Sequence, residues 1–224
     1  MTEHTAAVHQ SAPGPTRTDH AALVHGEAVP RERVDALLRV VPPRDRETRP
    51  DALARAERQR RRWATQVVVA DELARRACAD RGLEPGDEVA AARVLAVAET
   101  DVAGLGSIVA VTLAHSPAAR ALLAALEGEQ DVSEDAARDY YVRNRDRFLT
   151  PAALRRGADP FGAAAEEDFL PYERVREPIA RELRRAAGRR AFVDWLDQAR
   201  AGVVYAPGHE HPGDPAHPDH EHRH

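Results

Sequence analysis

Apolar positions recur along this chain with helical spacing almost throughout and read as strands in only two places. Ala21, Ala22, Leu23, Val24 and His25 run into Gly26-Glu27, a short strand ending in a turn. Val29-Pro30 then leads into a helix with Pro30 in its first turn; Val34, Leu37, Leu38 and Val41 form its apolar face, and Pro42-Pro43 stops it. Residues 51–81 hold no Pro or Gly, which predicts a helix roughly 45 Å long. Its first half, RAERQRRR at 55–62, is almost wholly charged, whereas Trp63, Val67, Ala70, Leu73, Ala74 and Ala77 make a stripe in the second. Gly82 is the predicted C-cap, and 83–86 a turn. Residues 87–98 read as an amphipathic helix carrying Val89, Val94, Leu95 and Val97. The stretch 103–126 is the most hydrophobic of the chain and, broken at Gly104, Gly106 and Ser116-Pro117, reads as two short buried helices.

The densest aromatic pattern lies in 132–148, VSEDAARDYYVRNRDRF. Ser133 can accept from first-turn amides, and Glu134 and Asp135 suit the positive end of a helix. Tyr140, Tyr141, Asn144 and Phe148 fall at helical spacings and gather on one side. Residues 152–170 are broken by Gly157, Pro160 and Gly162. A last helix opens at Pro171-Tyr172 and runs to about Ala201 with Tyr172, Val175, Ile179, Leu183, Ala186, Val193 and Leu196 on one face; Pro178 predicts a kink or a later start. Val203-Val204-Tyr205 is a second short strand. Two lone strands near opposite ends are both satisfied if they pair. The expectation is an all-α domain with a minimal two-strand pairing of its ends, spanning 21–206 between an N-terminal tail, 1–20, and a His-rich tail, 207–224.

Composition refines this picture. Hydrophobic residues make up 43% of 224, enough for a core, but much of that is alanine, so closely packed helices with a few large anchors are expected. Every basic residue except histidine is arginine, which reads as codon bias rather than chemistry. A net charge of -5 and a pI near 6.1 argue against a general nucleic-acid partner. Arg60, Arg61 and Arg62 are the candidates for a phosphate contact, outweighed by a solvated helix face. Cys78 is the only cysteine, so it forms no disulfide within the chain and is most simply a small buried residue. No apolar N-terminal leader and no run of roughly 20 apolar residues is present, so a cytoplasmic protein without a membrane partner is expected. Gly104-Leu105-Gly106-Ser107 lacks the Gly-x-Ser-x-Gly of a nucleophile elbow, and His115 has no obvious acidic orienter. No enzyme signature stands out.

Beyond Pro207 the chain reads GHEHPGDPAHPDHEHRH. His209, His211, His217, His220, His222 and His224 are candidate ligands for Zn, Ni or Cu, in many registers rather than one geometry. Pro212-Gly213-Asp214-Pro215 could instead fix a turn.

The segment Val24-His25-Gly26-Glu27-Ala28-Val29-Pro30 resembles the V-N-G-x-x-I opening of the chaperone domain of SurA/PrsA-type foldases, with His25 in place of Asn. Residues 63–82 resemble that family's long helix. Val132, Ser133, Tyr140, Tyr141, Asn144, Phe148 and Pro151 match its V-S/T-x-E-x-x-x-x-Y-Y-x-x-N-x-x-x-F-x-x-P block. Residues 170–205 are similar to its closing helix and strand. The resemblance implies a helical cradle for extended, apolar-rich polypeptide. In relatives a parvulin domain of roughly a hundred residues follows the Phe-x-x-Pro end; 152–170 has no room for one, so prolyl isomerase activity is not expected. The relatives act outside the cytoplasm, which conflicts with the missing leader, and 88–129 is longer than the family's minimal domain. On this basis the chain is expected to be a non-catalytic chaperone-like or assembly protein, with Trp63, Val67, Tyr140, Tyr141 and Phe148 facing a client polypeptide or forming core. A homodimer is compatible with such a body. The alternative expectation is a metal-carrying accessory protein that uses the histidine tail.

Overall fold

The computed structural model describes residues 19–41, 50–87, 97–162 and 164–210. Most of the N-terminal tail, the expected helix over 87–98 apart from its ends, and His211, His217, His220, His222 and His224 lie outside the described residues.

The chain enters through a hairpin. β1 (His20–Val24) and β2 (Glu27–Pro30) pair antiparallel, with Val24 opposite Glu27. His25 and Gly26 take φ 49 and 83, the two successive positive values that a two-residue turn needs to follow strand twist. β3 (Val203–Tyr205) lies along the other side of β1, with Leu23 opposite Val204 and Val24 opposite Val203. The expected pairing of the two ends is therefore present, inside a sheet of order β2-β1-β3. The sequence reading missed β2. Four residues are too few to show alternation, and a proline closing an edge strand resembles one opening a helix. Pro30 is the N-cap of α1 rather than part of its first turn.

Seven helices among the described residues make the fold mainly α: α1 (Arg31–Val40), α2 (Pro50–Arg81), α3 (Glu99–His115), α4 (Pro117–Gly128), α5 (Glu134–Arg143), α6 (Pro151–Arg156) and α7 (Tyr172–Arg200). α2 is the axis. Around its middle Ala64, Val67, Val68, Val69, Ala70 and Leu73 are all buried, so the helix is covered on every side by α1, α3, α4, α7 and the sheet. The anchors are Phe192, Leu122 and Leu196, and Ala118, Ala119, Ala21 and Ala22 fill the tight places between them. Cys78 is buried here, its thiol against the Ala118 carbonyl at 3.3 Å.

α3 carries one residue with non-helical dihedrals, Gly106, which divides it. Ser116 then turns the chain by 110° into α4; its hydroxyl accepts from the Ala119 amide at 2.9 Å, and Pro117 fills the first turn, where no amide is needed. Among the described residues no single helix is long and apolar enough to cross a membrane.

α7 belongs to two cores. Its C-terminal half contributes Phe192 and Leu196 to the large one. Its N-terminal half contributes Tyr172, Val175 and Ile179 to a second cluster with Ala137 and Phe148. Pro178 does not end the helix, which is continuous from Tyr172.

Candidate functional site

Three regions hold the residues singled out in the sequence. The first is the aromatic block of α5 and the 3-10 turn Arg145–Phe148. Ser133 caps α5, accepting from the Ala136 amide at 3.2 Å. The Tyr141 ring sits 5.0 Å from Phe148 and 5.6 Å from Tyr172, and Tyr140 lies edge-on to Phe148 at 6.4 Å. The Tyr141 hydroxyl donates to the Leu170 carbonyl at 2.7 Å, and burial raises its pKa. The Tyr140 hydroxyl donates to Glu182 at 2.9 Å, and Arg147 meets the same carboxylate. Thus Tyr140, Tyr141 and Phe148 are brought together, and what they do is weld α5 to α7.

Directly behind them the chain doubles back. The Leu170 amide donates to the Phe148 carbonyl and the Thr150 amide to the Asp168 carbonyl, both at 2.7 Å, closing a bridge between Leu149 and Phe169. The loop so pinned contains α6, held by the Arg156–Asp168 ion pair at 2.5 Å, which keeps the Asp168 carboxyl below its ordinary range, and by Arg145 stacked 3.9 Å from the Phe169 ring. Tyr141→Phe removes one hydrogen bond at the neck of this loop. We expect a loss of about 1 kcal/mol in urea unfolding, and an unchanged midpoint would show the bond to be idle.

Trp63 and Val67 lie elsewhere. Val67 is fully buried and Trp63 half-buried against the large core, so the five expected client contacts do not form one surface. Val67 is corrected to a core residue. An inward stripe on a helix covered all round has the same spacing as an exposed one, so the pattern alone could not distinguish them. The arginine run is corrected too. Arg60 donates to the Leu38 and Val41 carbonyls, closing the end of α1, and Arg62 is buried with Glu210 at 3.7 Å.

The second region is an open cleft of about 510 Å³ between α3, α4 and α7. Its floor is apolar: Leu105, Ala110, Leu113 and Ala114 from α3, Leu123 from α4, and Val97 ahead of α3. Its rim carries Arg120, Arg185 and Arg189, with Asp101 and Glu127. Arg120 points back to the Leu113 carbonyl at 2.9 Å and so closes the end of α3. Glu127 is fixed by a close crossing of α4 over α7: a Cβ on Gly188 would lie 2.8 Å from the Glu127 Cα. Sequence reasoning passed over Gly188, although a glycine inside a helical pattern signals a packing requirement.

The third region is the start of the histidine tail. Ala206, Pro207, Gly208 and His209 form a tight turn, with Gly208 at φ 84 and the His209 amide donating to the Ala206 carbonyl at 3.0 Å, the pattern of a type II turn. The turn drops His209 onto α2. The imidazole is 2% exposed, with Nδ1 2.7 Å from the Thr65 hydroxyl. That hydroxyl spends its proton on the Arg61 carbonyl at 2.9 Å. The ring is therefore the donor in this contact, through Nδ1–H. Burial, then the guanidinium groups of Arg31 and Arg61, lower the His209 pKa to about 4. One strand earlier, the Tyr205 hydroxyl donates to buried Gln66 at 3.0 Å. The folded body thus reaches past the expected boundary at 206. Among the described residues no group of three or more His, Cys, Asp or Glu side chains could hold a metal ion, and the arginines around His209 oppose a cation there.

A smaller pocket of about 240 Å³ is lined by Asp71, Arg75, Arg33 and His115. Asp71 accepts from Arg33 at 2.7 Å and Arg75 at 2.9 Å. Glu72, held by Arg33 and Arg76, keeps a lowered pKa despite partial burial. These pairs tie α1 to α2. No protein-family model, curated protein or solved structure matches the chain.

Proposed function

We propose that this protein is a non-catalytic, chaperone-like or assembly protein that holds a client polypeptide. The observation that carries this is the cleft between α3, α4 and α7, large enough for several side chains, floored by leucine and alanine and open to solvent. The motif resemblance of 132–151 to the chaperone half of SurA/PrsA foldases supports it, as does the loop 149–170, which is pinned at its neck where those relatives continue into an isomerase domain. Under this proposal the client surface moves from the aromatic block to the cleft, and the protein acts in the cytoplasm.

The test is suppression of aggregation of a chemically denatured model client, followed by light scattering. Leu123→Glu, at the half-exposed cleft floor, should abolish suppression. Removal of everything after Glu210 should leave it intact. If the truncated chain loses all suppression, or if Zn, Ni or Cu is required for it, the metal-carrying alternative replaces the client reading.

A further inference from the structure

Resting on that client reading, we infer that the cleft selects apolar segments flanked by acidic residues, with Arg185 and Arg189 of α7 as the groups that recognise the carboxylates. The charge distribution is the reason. Residues 181–190 of α7 hold five arginines and one glutamate, in a chain whose net charge is -5. Glu182 is already taken by Arg147 at 2.8 Å, and Arg190 lies 3.9 Å from Asp194. Arg185 and Arg189 are both exposed, stand one turn apart on the cleft rim, and make no ion pair with any described residue. Of the acids that line the cleft, Asp101 stands in the first turn of α3, where the helix dipole favours it, and the Glu127 side chain lies against Gly188.

An apolar floor beside exposed guanidinium groups is the complement of one kind of peptide. Leucine-type side chains would enter between Leu105, Leu113 and Leu123, while carboxylates one turn away meet the α7 arginines in bidentate geometry. A nucleic acid would need a basic track with aromatic platforms; the floor here is aliphatic, so a polypeptide is favoured.

Three labelled peptides of about a dozen residues, sharing one leucine-rich core and flanked by glutamate, serine or lysine, are titrated into the full chain by fluorescence anisotropy. The same titrations are run on Arg185→Glu/Arg189→Glu. Exposed charge pairs of modest strength predict that the glutamate-flanked peptide binds about 10-fold tighter than the lysine-flanked one, less so at high salt. In the double variant that order reverses, while the serine-flanked peptide is unchanged. Because both arginines are exposed, the variant keeps the parent's circular dichroism. Equal binding of the three peptides, or a preference that survives the double substitution, overturns acidic selection and leaves the client reading standing. Failure of every peptide to bind overturns both. Tighter, arginine-dependent binding of a single-stranded oligonucleotide than of any peptide also overturns the inference.

Discussion

Gly188→Ala should destabilise the protein, although the same exchange in an unobstructed helix stabilises it by about 1 kcal/mol. The added Cβ would meet the Glu127 Cγ at 2.3 Å and the Glu127 Cα at 2.8 Å. The side-chain atom can swing away, but the Cα cannot move without moving α4. α4 brings Leu122 and Leu126 to the large core, and α7 brings Phe192 and Leu196, so separating the helices loosens the anchors of that core. Overpacking of this kind costs about 1–3 kcal/mol and outweighs the propensity gain; Gly188→Leu should cost more. Gly104→Ala is the internal control, because Gly104 lies in α3 with no positive φ and with open space for 4 Å around the place a Cβ would take; it should gain up to about 1 kcal/mol. Urea unfolding of the two variants should move in opposite directions, and a stabilised Gly188→Ala would refute the close crossing. The cleft shares this crossing through Leu123, Glu127, Arg185 and Arg189, so the destabilised variant should also hold client less well.

Much of the body was legible in the chain because its signals are local. The breaker-free run 51–81 became α2, Ser133 opens α5, and Val203-Val204-Tyr205 became β3; the single helix expected over 132–148 instead ends at Arg143, where Asn144 caps it and a 3-10 turn carries the chain to Phe148. What could not be read depends on which faces meet. Val67 and Tyr141 carry helical stripes whose partners belong to distant elements, and periodicity does not say whether a stripe meets core or client. The cleft was invisible for the same reason: Leu113, Leu123 and Arg189 come from three helices and share no motif. Arg60 and Arg62 read as solvated because charge is usually exposed, yet one closes the end of α1 and the other is covered by the C-terminal segment. Charge can be buried where the chain's own carbonyls and carboxylates wait for it.

His209 was grouped with the metal-ligand candidates by composition alone, and its surroundings make a different expectation sharp. The neutral ring is buried between α2 and the end of the chain, donating to Thr65. Charged groups face it from both neighbouring helices, Arg31 and Asp35 on α1 and Arg61 on α2, with Glu210 beside it in sequence. Burial and the two arginines outweigh the two acids and hold its pKa near 4, against 6.5 when solvated. A base whose folded pKa is depressed binds its proton more readily in the unfolded chain, so stability is full above the unfolded value and falls as pH drops towards the folded one. Between about pH 7 and about pH 5 this amounts to a loss of about 2 kcal/mol. Glu72 and Asp168, whose pKa values are lowered, give up their contribution only under more acid conditions, so neither accounts for this decline. His209→Asn keeps a donor for Thr65 but cannot titrate. Its urea midpoint should start lower at neutral pH, from lost packing, and then stay nearly level where the parent declines. Parallel curves for the two proteins would mean that His209 is solvated and that the C-terminal segment does not rest on α2. Converging curves would make this one histidine of the His-rich region a neutral structural peg, with any metal left to the residues beyond it.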